Sequence, residues 1–192
     1  MLIVRTTLKF YGMNKNKYLI FAALTITTLA FISSCSVKVP EYAKPVNNFK
    51  ADKYQGKWYE IARFDFKYEK DMNQVTAQYT LKDDGSIEVI NRGFDYVKNE
   101  WKEKKGKAKF NGSDNQGALK VSFFGPFYAG YNVVMMDPDY ETALIFGDKR
   151  DYIWFLSRKP TLSEETKQKF LNEAKKAGYD LNRLVWTEQN PQ

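Results

Sequence analysis

Between Lys57 and Arg158 the chain divides into eight short runs with strand-like alternation, joined by connections too short to hold a helix. The runs cover residues 57–66, 73–81, 86–93, 101–110, 117–124, 129–137, 141–147 and 152–158. Turn-forming residues mark the breaks: Asp83-Asp84-Gly85, Asn111-Gly112-Ser113-Asp114-Asn115, Asp137-Pro138-Asp139 and Gly147-Asp148-Lys149-Arg150-Asp151. Short links make successive strands antiparallel, because parallel pairing needs a crossover of roughly a dozen residues or more. The aromatic content, 14 Phe, 13 Tyr and 4 Trp in 192 residues, favours the same β-rich outcome. Two all-β architectures suit eight such strands: an antiparallel up-and-down β-barrel, which is the expectation, and a two-sheet sandwich. After Pro160 the pattern changes. Thr161-Leu162-Ser163-Glu164 is a capping box with Ser163 as an alternative cap. Phe170, Ala174 and Ala177 share a helical face, and Gly178 sits at a helix end. One α-helix over 163–177, packed outside the strands, and a last short strand at Leu184-Val185-Trp186 are expected.

Gly56 opens the first run, and the two-residue period places Trp58, Glu60, Ala62 and Phe64 on one face. Tyr59, Ile61 and Arg63 fall on the other. Neither face is uniformly apolar, which suits a strand lining a cavity better than one in a packed core. The same period pairs Tyr152 with Trp154 and Leu156, and Tyr131 with Val133 and Met135. Leu119, Val121 and Phe123 oppose Lys120 and Ser122, and Val89 shares a face with Asn91. If these faces turn inward, Val89, Val121, Phe123, Tyr131, Val133, Tyr152 and Trp154 form an apolar wall in which Glu60 and Asn91 orient a polar head group. The competing assignments are ordinary core for each apolar residue and a carboxylate paired with a nearby cation for Glu60.

The N-terminal segment has the features of an export signal. Lys15 and Lys17 precede a mostly apolar stretch from Leu19 to Ile32, which is short for a membrane span and ends in small residues. Ile32-Ser33-Ser34-Cys35 resembles a bacterial lipobox, which makes residues 1–34 a lipoprotein signal peptide, with Met13 as an alternative start. Cys35, the only cysteine, is then the lipidated first residue and the link to a membrane. A signal anchor with an incidental cysteine is the alternative. Residues 35–53, with Pro40 and Pro45 and no clear period, are expected to be a tether, and residues 54–192 the folded domain. Ser36 after the cysteine favours transfer to the outer membrane, with the protein facing the periplasm. The net formal charge is +7, of which Arg5, Lys9, Lys15 and Lys17, with no acid among residues 1–34, supply +4, so the rest of the chain carries only +3 and gives no reason to expect nucleic acid. Lys98, Lys102, Lys104, Lys105, Lys107 and Lys109, set against Glu100 and Glu103, suit either anionic head groups or a solvated edge strand guarded by lysines.

Three stretches carry a family resemblance. Gly56-Lys57-Trp58-Tyr59 is similar to the first lipocalin signature, Gly-x-Trp. The stretch from Tyr131 to Tyr140, with Asp137-Pro138-Asp139-Tyr140, resembles the second, and Trp154-Phe155-Leu156-Ser157-Arg158 the third. Order and spacing agree over residues 54–186, and the lipobox together with Phe123-Phe124-Gly125-Pro126-Phe127 points to the bacterial branch of the family. The resemblance implies an eight-stranded barrel closed at one end, with small apolar ligands in its cup. It makes Gly56, Trp58 and Arg158 structural, the last two stacked at the closed end. It also implies a lipid such as a fatty acid or lysophospholipid as ligand, a role in the cell envelope, no cofactor, and leaves a homodimer open.

Histidine is absent, which removes Ser-His-Asp and Cys-His nucleophile systems and most zinc catalysis. A binding protein rather than an enzyme is therefore expected. The alternatives are a lipocalin-like enzyme using carboxylates such as Glu60, and an interaction protein whose cup is filled by its own side chains.

Overall fold

A computed structural model describes residues 37–189, so the expected leader and Cys35 lie outside the described residues. After a short helix α1 (Ala51–Tyr54) come β1 (Gly56–Phe64), β2 (Met72–Leu81), β3 (Ile87–Asp95), β4 (Glu100–Phe110), β5 (Ala118–Phe124), β6 (Phe127–Met136), β7 (Thr142–Gly147) and β8 (Ile153–Ser157). Helix α2 (Glu164–Lys176) and β9 (Leu184–Trp186) complete the chain. Each of the first eight strands pairs antiparallel with its neighbour in sequence, and β1 pairs with both β2 and β8. The sheet therefore closes into a barrel, not a sandwich. Strand β9 adds outside the ring, against the second half of β1. Ser163 caps α2, its hydroxyl accepting from the Thr166 N–H, as expected for a serine just ahead of a helix with acids in its first turn.

Two apolar clusters result. One lies inside the barrel; the other joins the outer faces of β1, β7 and β8 to Phe170 and Ala174 of α2. Burying Phe170 this way removes a ring from water, worth roughly 2–3 kcal/mol. The alternation expected for β1 holds only to Glu60. A bulge between Glu60 and Ala62 shifts the register against β8, so Ala62 and Phe64 pack toward the helix and Arg63 turns in beside Glu60. A second bulge, between Val133 and Met135, moves Met135 out of the face it was expected to share with Tyr131.

Residues 37–53 are not a free tether. Tyr42 packs on Phe146 and Tyr179, and Val46 exchanges backbone hydrogen bonds with Val133 and Gly117. Phe49 and Tyr54 are buried inside the barrel. Apolar side chains at these positions supply the reason, and they plug one end of the ring. Residues 37–189 hold an apolar core of their own. Among the described residues no helix is long and apolar enough to cross a membrane.

Arg158 seals the plugged end. Its guanidinium carbon lies 4.0 Å from the centre of the Trp58 ring, which is fully buried. It donates to the carbonyls of Lys57, Lys53 and Gln55 at 2.9 Å each, and to those of Tyr54 and Tyr140 at 3.2 Å. Those carbonyls belong to α1, the chain leaving it and the β6–β7 turn, so one side chain joins three segments. A Cβ on Gly56 would stand 3.1 Å from Arg158 Nη1, and its φ of +99° suits glycine alone. Asp137 holds the same turn, accepting from the Asp139 and Glu141 N–H groups and the Thr142 hydroxyl. Replacing Arg158 by Met should lower stability by about 3 kcal/mol in urea unfolding, and Arg158→Lys should recover little of it because an ammonium cannot span the same acceptors. A loss below about 0.5 kcal/mol would contradict this account of the seal.

Candidate functional site

Above the plug the barrel is hollow. A cavity of about 670 Å³ opens at the end bordered by the β1–β2 loop and the β5–β6 turn. Its floor is a tyrosine cluster: the Tyr131 hydroxyl lies 2.5 Å from that of Tyr54 and 2.9 Å from that of Tyr79. Burial raises all three above the ordinary phenol range, Tyr79 to about 12, so they stay neutral and satisfy one another. Above that floor the wall is apolar. Val75 and Ala77 come from β2, Val89 from β3, Ala108 from β4, Val121 and Phe123 from β5, and Trp154 and Leu156 from β8. Gly106 gives the Phe123 ring its place, since a Cβ there would meet ring carbons at 2.7 and 2.8 Å.

Eight of the nine expected wall residues surround this space: Glu60, Val89, Asn91, Val121, Phe123, Tyr131, Tyr152 and Trp154. Val133 is the exception. It faces the interior but lies in the plugged layer, wholly buried and bonded through its backbone to Val46 and Gly117. The N-terminal segment, expected to be a tether, occupies the space beside it.

Two polar features interrupt the wall. Asn91 keeps its Oδ1 shielded from solvent without a hydrogen-bond partner. Glu60 has its partner in Arg63, three residues along and brought inward by the bulge, at 2.8 Å. Thr187 completes the arrangement, its hydroxyl donating to Glu60 at 2.7 Å while accepting from Arg63 at 3.0 Å. Arg63 is 1 % exposed, and burial opposes its charge, but Glu60, Glu69 and Asp65 together keep the guanidinium above its ordinary pKa.

Glu69 was not legible in the sequence, because the β1–β2 loop has no period. Its carboxylate accepts from the Trp154 indole N–H at 3.2 Å, and its backbone carbonyl accepts from Arg63 at 2.5 Å. Phe66 and Tyr68 of the same loop also border the cavity. Burial, then the negative charge of Glu60, pushes the Glu69 carboxyl well above the usual range, against the pull of Trp154 and Arg63. Among the described residues no group of His, Cys, Asp and Glu side chains is arranged to hold a metal ion.

Residues 49–189 match the family model of the lipocalin-like domain. A closed barrel with a cup at one end and a Trp–Arg stack at the other is the architecture of that class, and the chain belongs to the lipocalin family. It is 48% identical to the outer membrane lipoprotein Blc of Citrobacter freundii over 165 residues, covering 85% of this chain and 93% of that protein. The protein of the same name from Vibrio cholerae is 45% identical, with 83% and 97% covered. The cockroach allergen Per a 4 shares the fold with a TM-score of 0.61 at 19% identity, over 82% of this chain and 96% of its own.

The position of Glu69 has a measurable consequence. The folded state keeps a proton that the unfolded chain releases, so stability should fall as pH rises above the ordinary carboxylate range and stop falling once Glu69 itself ionises. Thermal unfolding between pH ~5 and ~8 should show this slope, and Glu69→Gln should flatten it. An unchanged slope in the variant would locate the effect elsewhere.

Proposed function

We propose that this lipocalin binds a single-chain lipid, a fatty acid or lysophospholipid, and serves in maintenance of the cell envelope. The observation that carries the proposal is the cup itself: about 670 Å³, walled by apolar side chains, open at one end and closed at the other. That size lies within the roughly 300–1,000 Å³ of sites that enclose small organic ligands. An acyl chain gains about 0.8 kcal/mol for each CH₂ taken from water, so such a wall binds one without a covalent or ionic contact. The head group stays toward the mouth, where Asn91 offers an unpaired acceptor and Lys104 a cation.

Anchoring at the outer membrane through lipidated Cys35, with the barrel in the periplasm, fits the lipobox-like Ile32-Ser33-Ser34-Cys35 and the name of the bacterial relatives. A hydrolytic or isomerising role for Glu60 has less support, because its carboxylate is already engaged by Arg63 and Thr187. A cup filled by its own side chains is at odds with the open volume above Tyr131.

Titration of the Val37–Gln192 domain with saturated fatty acids and lysophospholipids, followed by Trp154 fluorescence, tests the proposal. Affinity should rise about fourfold per added CH₂ until the chain reaches the tyrosine floor. Trp154→Phe should remove the signal without removing binding by native mass spectrometry, and Ala77→Phe, which narrows the wall, should weaken binding at least tenfold. No bound lipid and no fluorescence change with any of these ligands would overturn it.

A further inference from the structure

Only part of the basic run of β4 lies along an unpaired edge. Strand β4 is bonded to β3 from Glu100 to Ala108 but to β5 only from Lys107 to Phe110, so the sequence-based expectation of a lysine-guarded edge holds for the stretch with Lys102, Lys104 and Lys105 and not at Lys107 and Lys109. Gly106 and Ala108 face the lumen, which leaves Lys105, Lys107 and Lys109 outside. Lys109 stands directly opposite Lys120 of β5, a like-charge pairing that weakens a sheet. Among the described residues Lys105, Lys109 and Lys120 form no ion pair, whereas on α2 Lys167, Lys169 and Lys176 are each matched to a glutamate.

Both ends of this face carry further features. Toward the mouth, Trp101 lies outside on β4, 44% exposed, with the Arg92 guanidinium 4.3 Å from its ring. Phe124 and Phe127 stand at the β5–β6 turn, Phe127 79% exposed, and both also border the cavity. About 26 Å of strand separates Lys109 from Trp101. Toward the plugged end, the Asn111 side chain donates to the Val37 carbonyl at 2.6 Å, so the described chain begins beside the β4–β5 turn. One residue, Ser36, lies between Val37 and Cys35, a span of no more than about 7 Å of chain.

We propose that the outer face of β4 and β5, with its Trp101–Phe124–Phe127 corner, docks the barrel side-on against an anionic phospholipid bilayer. The unmatched lysines meet the lipid phosphates, and the aromatic corner enters the interfacial layer where amphipathic and aromatic rings are favoured. Such a pose brings the rim of the cup to the membrane while leaving α2, on the opposite side of the barrel, in water. An anchor at Cys35 is compatible with this pose, since the described chain begins at the lysine end of the same face. Transfer of a lipid along the Phe124–Phe127 rim, though not the docking itself, rests on the lipid-binding function proposed above.

Vesicle co-sedimentation of the Val37–Gln192 domain, which lacks Cys35 and so any acyl chain, tests the docking. Binding is expected to mixed phosphatidylcholine–phosphatidylglycerol vesicles and not to phosphatidylcholine alone, and should weaken as salt rises. Combined Lys105→Glu, Lys109→Glu and Lys120→Glu should lower affinity roughly a hundredfold, while Lys169→Glu, Lys175→Glu and Lys176→Glu on α2 should leave it unchanged. The corresponding Lys→Gln triple, which removes the like-charge pair without adding acid, should move in the same direction and guards against misfolding. Lysophospholipid titration of the same proteins should be unaltered, so failure of the cup and failure of the docking are read separately. Equal binding to both vesicle types, absence of binding, or equal losses in the β-face and helix variants would overturn the proposal.

Discussion

Arg158 closes the bottom of the barrel, and the usable space above depends on that closure. A ring of eight strands has two open ends, and an apolar lumen open at both would fill with water or collapse. Here the guanidinium stacks on Trp58 and at the same time collects carbonyls from α1, from the start of β1 and from the β6–β7 turn. The planar fork suits this task because its donors point outward in fixed directions while its face rests on the indole. With the base fixed by hydrogen bonds and aromatic packing instead of a disulfide, the remaining lumen can stay hollow down to the tyrosine floor.

Above the floor, the bulge in β1 sets the chemistry of the wall. It rotates Arg63 inward beside Glu60, so two charges that strict alternation would put on opposite faces become a buried pair supported by Thr187. Removing one member of such a pair leaves the other charged and buried, which is more costly than never having built it. Arg63 also holds the backbone of the β1–β2 loop at Glu69, and Glu69 accepts from Trp154 on β8. The loop that carries Phe66 and Tyr68 over the cup is therefore tied to the wall by polar contacts rather than by burial alone.

Much of this was legible in the sequence. Turn residues and short connections gave the order and pairing of eight strands, the capping pattern from Thr161 to Glu164 marked the helix although its alternative, Ser163, is the residue that caps it, and alternation on β3, β5 and β8 identified wall residues from Val89 to Trp154. The failures have physical causes. Bulges in β1 and β6 break the two-residue period, and no local pattern announces where an extra residue will be inserted. Val133 was misplaced because residues 37–53 lacked periodicity and their apolar members, Phe49 among them, reach the barrel only through long-range packing. Glu69 escaped notice for a similar reason: a loop glutamate becomes part of a site only when Trp154, far along the chain, arrives beside it.

The central claim is that the cup holds an acyl chain with its tail toward Tyr131 and its head toward the mouth. A crystal structure of the Val37–Gln192 domain grown with a lysophospholipid tests this most directly. The account predicts continuous density running from the tyrosine floor past Val121 and Leu156, with the head group near Asn91 and Lys104. An empty cup, a lumen collapsed onto its own side chains, or a lipid bound only outside the barrel would contradict it.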